Sequence, residues 1–349
     1  MFFASDNAGP VHPKVIEALA AANQGYASPY GADPIMDTVQ ARIRALFEAP
    51  EAAVYLVATG TAANALALAT LCEPWETVFC TAPAHVHVDE CNAPEFFTGG
   101  AKLTLVEGAD AKMTPAALRA AIEIEEKRGV HGPQRGPVSL TNVTELGTVY
   151  SVAELAALTA VAKEYGLSSY LDGARLANAL AASGTSPAEM TWKAGIDVVS
   201  FGGTKNGLMG VEAVVLFDPA KAWEFELRRK RAAHLFSKHR YLSAQMLAYL
   251  DGDLWRALAG AANTANARLA DGLRATGQAH YAHAPDANMS FVAFPRAAHE
   301  RLHAAGAAYY IWEGELQGDD PAEMLTARLV CDWSASDAAT DRFVELVRG

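Results

Sequence analysis

Lys205 lies in the glycine-rich segment Ser200-Phe201-Gly202-Gly203-Thr204-Lys205-Asn206-Gly207. Upstream stands Leu171-Asp172-Gly173-Ala174-Arg175, with Asp172 33 residues (205 minus 172) before Lys205. Each segment follows an apolar run that reads as a buried strand. An amine, a carboxylate and a guanidinium therefore fall at the ends of nearby strands. Pyridoxal phosphate (PLP) requires such a set: a lysine to form a Schiff base with its aldehyde, and an acid for its pyridinium nitrogen. The pair thus proposes both a cofactor and a reaction type.

Other residues fit around that pair. Thr59-Gly60-Thr61-Ala62-Ala63-Asn64 joins a strand to a helix. Gly60 lets the backbone approach an anion, the helix N-terminus offers free N–H groups, and the Thr61 hydroxyl adds a donor. The same threonines also suit a plain N-cap. The G-x-G-x-x-G spacing of a dinucleotide fold is absent, which disfavours a dehydrogenase. Asp172 reads either as the partner of the ring nitrogen or as the cap of the next helix. Arg175 can face the phenolic oxygen of the cofactor or a substrate carboxylate, and Thr204 can bind the phosphate. His85 and His87 stand two apart, so on a helix they point to different faces and do not share a metal. We expect one of them, His85, to stack on a flat cofactor. His131 precedes a strand and is a candidate acid–base group. Arg328 opens an apolar stretch and can pair bidentately with an α-carboxylate. The basic run 228–231 reads as a solvated helix face, with Lys230 within reach of a phosphate.

The elements that must position these groups alternate along the chain. Strands are predicted over 54–57, 77–81, 102–106, 138–142, 169–171, 197–201 and 212–217. Helices are predicted over 13–23, 33–48, 61–71, 114–127, 152–165 and 175–182, with a helical stretch after His85. This pattern argues for an α/β fold with a mostly parallel central sheet, whose ligands sit at the carboxyl ends of the strands. From 222 to about 276 the pattern is helical. A smaller α+β unit follows, with strands over 289–294, 308–312 and 328–332 and helices over 297–305 and 337–347. We divide the chain into a large domain, 1–250, and a small C-terminal domain, 251–349.

The 349 residues carry a net charge of −12, which argues against nucleic acid and acidic membrane surfaces as partners. Cys72, Cys80, Cys91 and Cys331 are scattered without C-x-x-C spacing, as expected for reduced thiols rather than a disulfide frame or zinc site. The first residues lack the features of a signal peptide, and no apolar run reaches the roughly 18 residues that span a membrane. These features predict a soluble cytoplasmic protein.

Taken together, the residues resemble the L-threonine aldolase family, a branch of the PLP-dependent fold type I superfamily, from Ser5-Asp6 nearly to the end. The resemblance rests on Ser5-Asp6, Tyr30-Gly31-Ala32-Asp33, the 59–64 motif, Ala84-His85 with Glu90, Leu171–Arg175 and Lys205. Asn7 replaces a threonine, and Gly203-Thr204 replaces Leu-Ser before the lysine. Leu140-Thr141-Asn142-Val143 stands where the family has Leu-Glu-Asn-Thr, so a glutamate is missing. The family's glycine triplet is absent beyond Arg229-Lys230. His131 sits at an offset that suits a second active-site histidine.

The resemblance implies cleavage of β-hydroxy-α-amino acids to glycine and an aldehyde, through a Lys205 Schiff base and a quinonoid intermediate. It implies that Ser5, Arg175 and Arg328 fix the carboxylate, that Asp172 keeps the ring nitrogen cationic, and that His85 or His131 takes the hydroxyl proton. Tyr30 would complete the pocket from a neighbouring subunit of a homotetramer, a dimer of dimers. The rival readings are an aldolase preferring phenylserine and another fold type I enzyme, an aminotransferase or a β-eliminating lyase.

Overall fold

The computed structural model describes residues 1–349, the side chain of Glu126 excepted. Nine strands precede the long helices: β1 (Ala53–Val57), β2 (Glu76–Thr81), β3 (Lys102–Val106), β4 (Gly108–Ala109), β5 (Lys112–Met113), β6 (Gln134–Thr141), β7 (Ser169–Asp172), β8 (Val198–Gly202) and β9 (Glu212–Leu216). Seven of them form one sheet in the order β1-β9-β8-β7-β6-β2-β3, while β4 and β5 make a small hairpin. From β3 to β8 every pairing is parallel; β9 runs antiparallel to both β8 and β1. The fold is therefore the α/β fold with a mostly parallel central sheet that the alternation of elements predicted.

Side-chain alternation explains the layering. Leu56, Phe79, Leu140, Leu171, Val199, Phe201 and Val215 enter one apolar cluster. Their neighbours Val57, Val78, Cys80, Tyr170, Val198 and Val214 enter another on the opposite face. Both faces are covered, so β7, β8 and β9 are buried at every residue. This is why they read as unbroken apolar runs rather than alternating ones. The helix Gly60–Leu71 lies against the second face and is buried nearly all round.

One boundary moved. β6 begins at Gln134, four residues (138 minus 134) before the predicted start. Its first half is polar and contains Pro137, which argued against a central strand. A bulge absorbs the proline: Arg135 pairs with Thr77 and Val138 with Phe79, so Gly136 and Pro137 together face one residue of β2. A Cβ on Gly136 would come within 2.6 Å of the Thr77 carbonyl oxygen, so the bulge needs glycine there.

Three helices follow β9: Ala222–Arg231, Arg240–Leu250 and Leu254–Arg274. The smaller sheet then forms from β10 (His280–Tyr281), β11 (Met289–Pro295), β12 (Tyr310–Glu313) and β13 (Met324–Val330), in the order β10-β11-β13-β12. β13 starts before the predicted 328, so Arg328 lies inside the strand and does not open it. The helix Leu254–Arg274 belongs to both units. Trp255 and Ala259 pack in the core of the large sheet, and Ala265, Leu269 and Leu273 pack in that of the small one. The start of the chain also reaches the small sheet. Phe3 N–H donates to the Ala308 carbonyl (2.8 Å), Val330 N–H donates to the Phe3 carbonyl (2.9 Å), and the Phe3 ring enters the small core. Among the described residues, no helix is long and apolar enough to cross a membrane.

Leu269 is fully buried on this shared helix. Leu269→Ala is expected to cost about 2–5 kcal/mol by urea denaturation, the range for emptying a packed leucine site. A loss under about 1 kcal/mol would show that the second half of the helix is not structurally required.

Candidate active site

Parallel strands bring the ends of β1, β2, β6, β7 and β8 to one edge of the sheet. β9 runs the other way, so its first residue, Glu212, lies on the same edge. The turns after these ends carry the candidate residues.

Asp172 is the last residue of β7. Its Oδ1 accepts the Ala174 N–H (2.9 Å) and its Oδ2 accepts Asn64 Nδ2 (2.9 Å). It does not cap the following helix, whose N-cap is Arg175. Asn64 reaches in from the buried helix Gly60–Leu71. It also donates to Glu90 Oε1 (2.6 Å) and accepts the Tyr170 hydroxyl (2.7 Å). His85 Nδ1 lies 2.8 Å from the same Glu90 oxygen. One network thus ties His85, Glu90, Asn64, Tyr170 and Asp172 together. The Glu90 hydrogen bond, against the opposing effect of burial, raises the His85 pKa; the Asp172 charge adds to it. Burial pushes the Glu90 carboxyl up as well, so the pair retains a proton.

Lys205 sits in a short 3-10 turn, Thr204–Asn206, after β8. Burial and the nearby Arg175 charge lower its pKa; Asp6, Asp172 and Glu212 pull the other way. A desolvated amine of this kind is suited to nucleophilic attack on a carbonyl.

Arg175 is held by Asp6, with Nε to Oδ2 at 2.7 Å and Nη2 to Oδ1 at 2.9 Å. Asn288 Nδ2 also donates to Asp6 Oδ2 (3.1 Å). Burial pushes the Asp6 carboxyl up, but the charge and hydrogen bonds of Arg175 outweigh it and hold it below the usual value. This geometry leaves Nη1 of Arg175 for a ligand. Arg328 lies close by: Nη1 donates to the Ala4 carbonyl (3.2 Å), and burial and Arg175 lower its pKa. Ser5 caps the short turn Asp6–Ala8, its Oγ accepting the Asn7 N–H (3.2 Å). Ser5, Asp6, Arg175 and Arg328 are thus gathered beside Lys205.

Gly60 and Thr61 head the helix Gly60–Leu71. Thr59 is its cap, accepting the Ala62 N–H (3.1 Å). The N–H groups of Gly60 and Thr61 come before the first intrahelical acceptor, which suits a phosphate.

Two expectations change, those for His131 and Thr204, while Tyr30 and Arg175 gain a setting. His131 lies in the turn Gly129–His131, before the amino end of β6. The site lies beyond the carboxyl end of that eight-residue strand, roughly 26 Å away at about 3.3 Å per residue. His131 therefore does not belong to this site. Thr204 does not turn its hydroxyl toward a phosphate; it accepts the Val211 N–H (3.2 Å) and hydrogen-bonds Glu212. Tyr30 is half exposed at φ 59°, with the Lys230 ammonium 4.6 Å from its ring centroid. It lines a surface hollow with Phe236 and Lys238. Finally, Arg175 faces Asp6 before any ligand.

Two acids escaped the sequence reading. Glu145 Oε1 accepts the His85 N–H (2.9 Å) and the Thr141 hydroxyl (3.0 Å), while its Oε2 is buried with no hydrogen-bond partner. The carboxyl absent at position 141 is thus supplied from four residues on. Burial, then the Asp172 charge, pushes it up. Glu212 lies beneath the Lys205 turn, and its signal was legible: one acid inside an apolar strand.

The donor set fits PLP. Lys205 can meet an aldehyde, Asp172 a ring nitrogen, His85 a ring face and the Gly60-Thr61 helix end a phosphate. Comparison with known proteins agrees. Residues 3–295 match the beta-eliminating lyase family. The chain is 41% identical over 347 residues to a low specificity L-threonine aldolase of Pseudomonas aeruginosa, covering 99% of this chain and 96% of that protein. It is 39% identical to a protein of the same description from a Pseudomonas species, covering 96% and 94%. A threonine aldolase structure from Leishmania major superposes with a TM-score of 0.92 at 28% identity, over 99% and 98% of the two chains. A Sphingomonas wittichii serine palmitoyltransferase shares the fold at 16% identity, with a TM-score of 0.71 over 100% of this chain and 86% of that one.

Asp6→Asn leaves a buried guanidinium without its counter-charge and is expected to cost about 3–5 kcal/mol at pH 7. The Asp6 pKa is lowered on folding, so its contribution is full above the unfolded value, ~3.9, and is lost as pH falls through the folded one. Unfolding curves of the two proteins should converge in acid; a gap that stays constant would exclude this pairing. His85 should titrate above 6.5 by NMR, and Glu90→Gln should bring it down. Its pairing then stabilises fully below the unfolded value and fades as pH rises through the folded one.

Proposed function

The chain belongs to the beta-eliminating lyase family, and on that premise we propose that it is a PLP-dependent aldolase that cleaves L-threonine, L-allo-threonine and related β-hydroxy-α-amino acids to glycine and an aldehyde. One observation carries this reading. A desolvated Lys205 shares a sheet edge with Asp172, which is joined through Asn64 and Glu90 to His85. The likeness to low specificity L-threonine aldolases along nearly the whole chain supports it.

PLP, when bound, supplies an aldehyde that reacts with amines and a ring that accepts the electrons of a broken Cα–Cβ bond. The chain supplies the rest. Lys205 would hold the cofactor, its desolvated amine being the group that meets the aldehyde. Asp172, fixed by Asn64 and the Ala174 N–H, keeps a proton on the ring nitrogen. Gly60 and Thr61 hold the phosphate. Arg328, Ser5 and Nη1 of Arg175 hold the substrate carboxylate, which sets the angle of the Cα–Cβ bond. His85, oriented by Glu90, would cover one face of the ring and take the β-hydroxyl proton, directly or through water. Because its pKa is raised, this step should speed up as pH rises through that value. The working form is a cytoplasmic homotetramer, with Tyr30 of one subunit completing the site of another. The exposed Tyr30 and Phe236 support that arrangement.

The test is product analysis by NMR with PLP-loaded protein and L-threonine, L-allo-threonine, D-threonine and L-phenylserine. Glycine plus aldehyde from the L-isomers alone, lost in Lys205→Ala, is expected. The ranking of rates identifies the preferred side chain. A keto acid would instead mean elimination or transamination and would overturn the aldolase reading.

A further inference from the structure

Glu212 is a fully buried acid in a fully buried strand. Its place follows from the topology. It pairs with Gly202 of β8 on one side and Val57 of β1 on the other. Gly202 is three residues before Lys205. From there the Glu212 side chain reaches under the turn, and Oε2 accepts the Gly203 N–H (2.9 Å). The Thr204 hydroxyl and N–H are also directed at it. The turn has no slack: a Cβ on Gly203 would come within 2.3 Å of a Leu208 methyl and 2.8 Å of the Val211 carbonyl oxygen. Tyr249 closes the site from the helix Arg240–Leu250, its hydroxyl donating to the Gly202 carbonyl (2.9 Å).

We propose that Glu212 is a positioning residue for the reaction: it clasps the Gly203-Thr204 turn that carries Lys205 and balances the charge of the Lys205 ammonium. This rests on the assignment of Lys205 as the reacting amine. A carboxylate buried in an apolar strand is costly unless it is satisfied, and here every donor that satisfies it comes from the residues just before Lys205.

The electrostatics agree. Burial pushes the Glu212 carboxyl up to about 7, while Thr204, Gly203 and the Lys205 charge pull it back. Lys205 feels Arg175 from the turn after β7, Asp6 from the chain start, Asp172 from β7 and Glu212 from β9. The phenols of Tyr170 and Tyr249 also face Glu212, and burial pushes both far up, so both stay neutral. A carboxyl poised near neutrality can gain a proton when Lys205 loses its positive charge. The net charge under the turn then stays constant as the amine engages and leaves.

The test uses the protein without PLP or substrate, so it stands apart from the aldolase reading. Lys205 is labelled with trinitrobenzenesulfonate across a pH series, and its modified peptide is quantified by mass spectrometry. Glu212→Gln retains one oxygen to accept the Gly203 N–H, removes the charge and puts an NH2 group in place of the other oxygen. Losing an anion disfavours the ammonium, so the labelling midpoint should move to lower pH. At a fixed pH below the midpoint the labelling rate should rise about tenfold for each unit moved. An unmoved midpoint in a folded Glu212→Gln protein would overturn the proposal. The reciprocal experiment removes the cation and leaves Glu212 in place. In Lys205→Met the infrared band of the protonated Glu212 carboxyl should persist to higher pH than in the parent protein. An unchanged band would overturn the coupling even if Glu212→Gln failed to fold.

Discussion

The arrangement depends on one buried carboxylate, Asp6. It takes both nitrogens on one side of the Arg175 guanidinium, and Asn288 of the small unit donates to it while also donating to the Cys331 carbonyl. Three parts of the chain thus meet on one side chain: the extreme N-terminal segment, the turn after β7 and the ends of the small sheet. Burying an ion pair gains little net stability, because desolvation offsets the attraction. What the pair supplies is placement. It turns the remaining edge of Arg175 toward the same space as Arg328. Two guanidinium groups then share one carboxylate, which leaves a positive surplus suited to a substrate carboxylate.

Placement on the opposite side comes from strand direction. Ligand groups gather at the carboxyl ends of parallel strands because every turn there faces the same way. β9 breaks the parallel rule, and that is what brings Glu212, at its amino end, beneath Lys205. Had β9 been parallel, that acid would lie at the far edge. The Asn64 network works by a related logic: a helix packed on one face delivers an amide both to Asp172 at the end of β7 and to Glu90 in the segment that follows β2. Its single Nδ2 serves Asp172 and Glu90, so the ring-nitrogen partner and the orienting partner of His85 cannot shift independently.

Much of this was legible in the residues. Lys205 and Asp172 stood out because a polar group just past an apolar run must have a partner or a purpose. Applied inside a run, the same rule would have found Glu212, but reading only the strand ends passed over it. His131 failed for a physical reason. It enters a parallel strand, whereas site residues leave one, and that direction excludes it. Pro137 hid the first half of β6 because a bulge, invisible in periodicity, accommodates it. Glu145 could not have been read at all. Its carboxyl matters only because the chain after β6 folds back to meet Thr141 and the backbone of His85. Ser5 and Arg328, 323 positions apart (328 minus 5), were gathered by resemblance; the cause of their meeting is Phe3 in the small core.

The acids of the site show how one environment yields opposite protonation. Asp6, Glu90, Glu145 and Glu212 are all withdrawn from water, and burial alone would raise every one. Asp6 touches a guanidinium through two short hydrogen bonds, and its pKa falls. Glu90, Glu145 and Glu212 lack such a partner, and theirs rise. Groups pushed apart in this way divide the work of holding charge and holding protons. The ionised acid belongs to the guanidinium end, where a substrate carboxylate must be recognised. The acids that burial pushes up line the His85 and Lys205 end, where bonds to hydrogen must be made and broken. The guanidinium therefore sets the contrast: where Arg175 makes its two hydrogen bonds a carboxylate anchors, and beneath Lys205, where it makes none, the Glu212 carboxyl can exchange a proton near neutral pH.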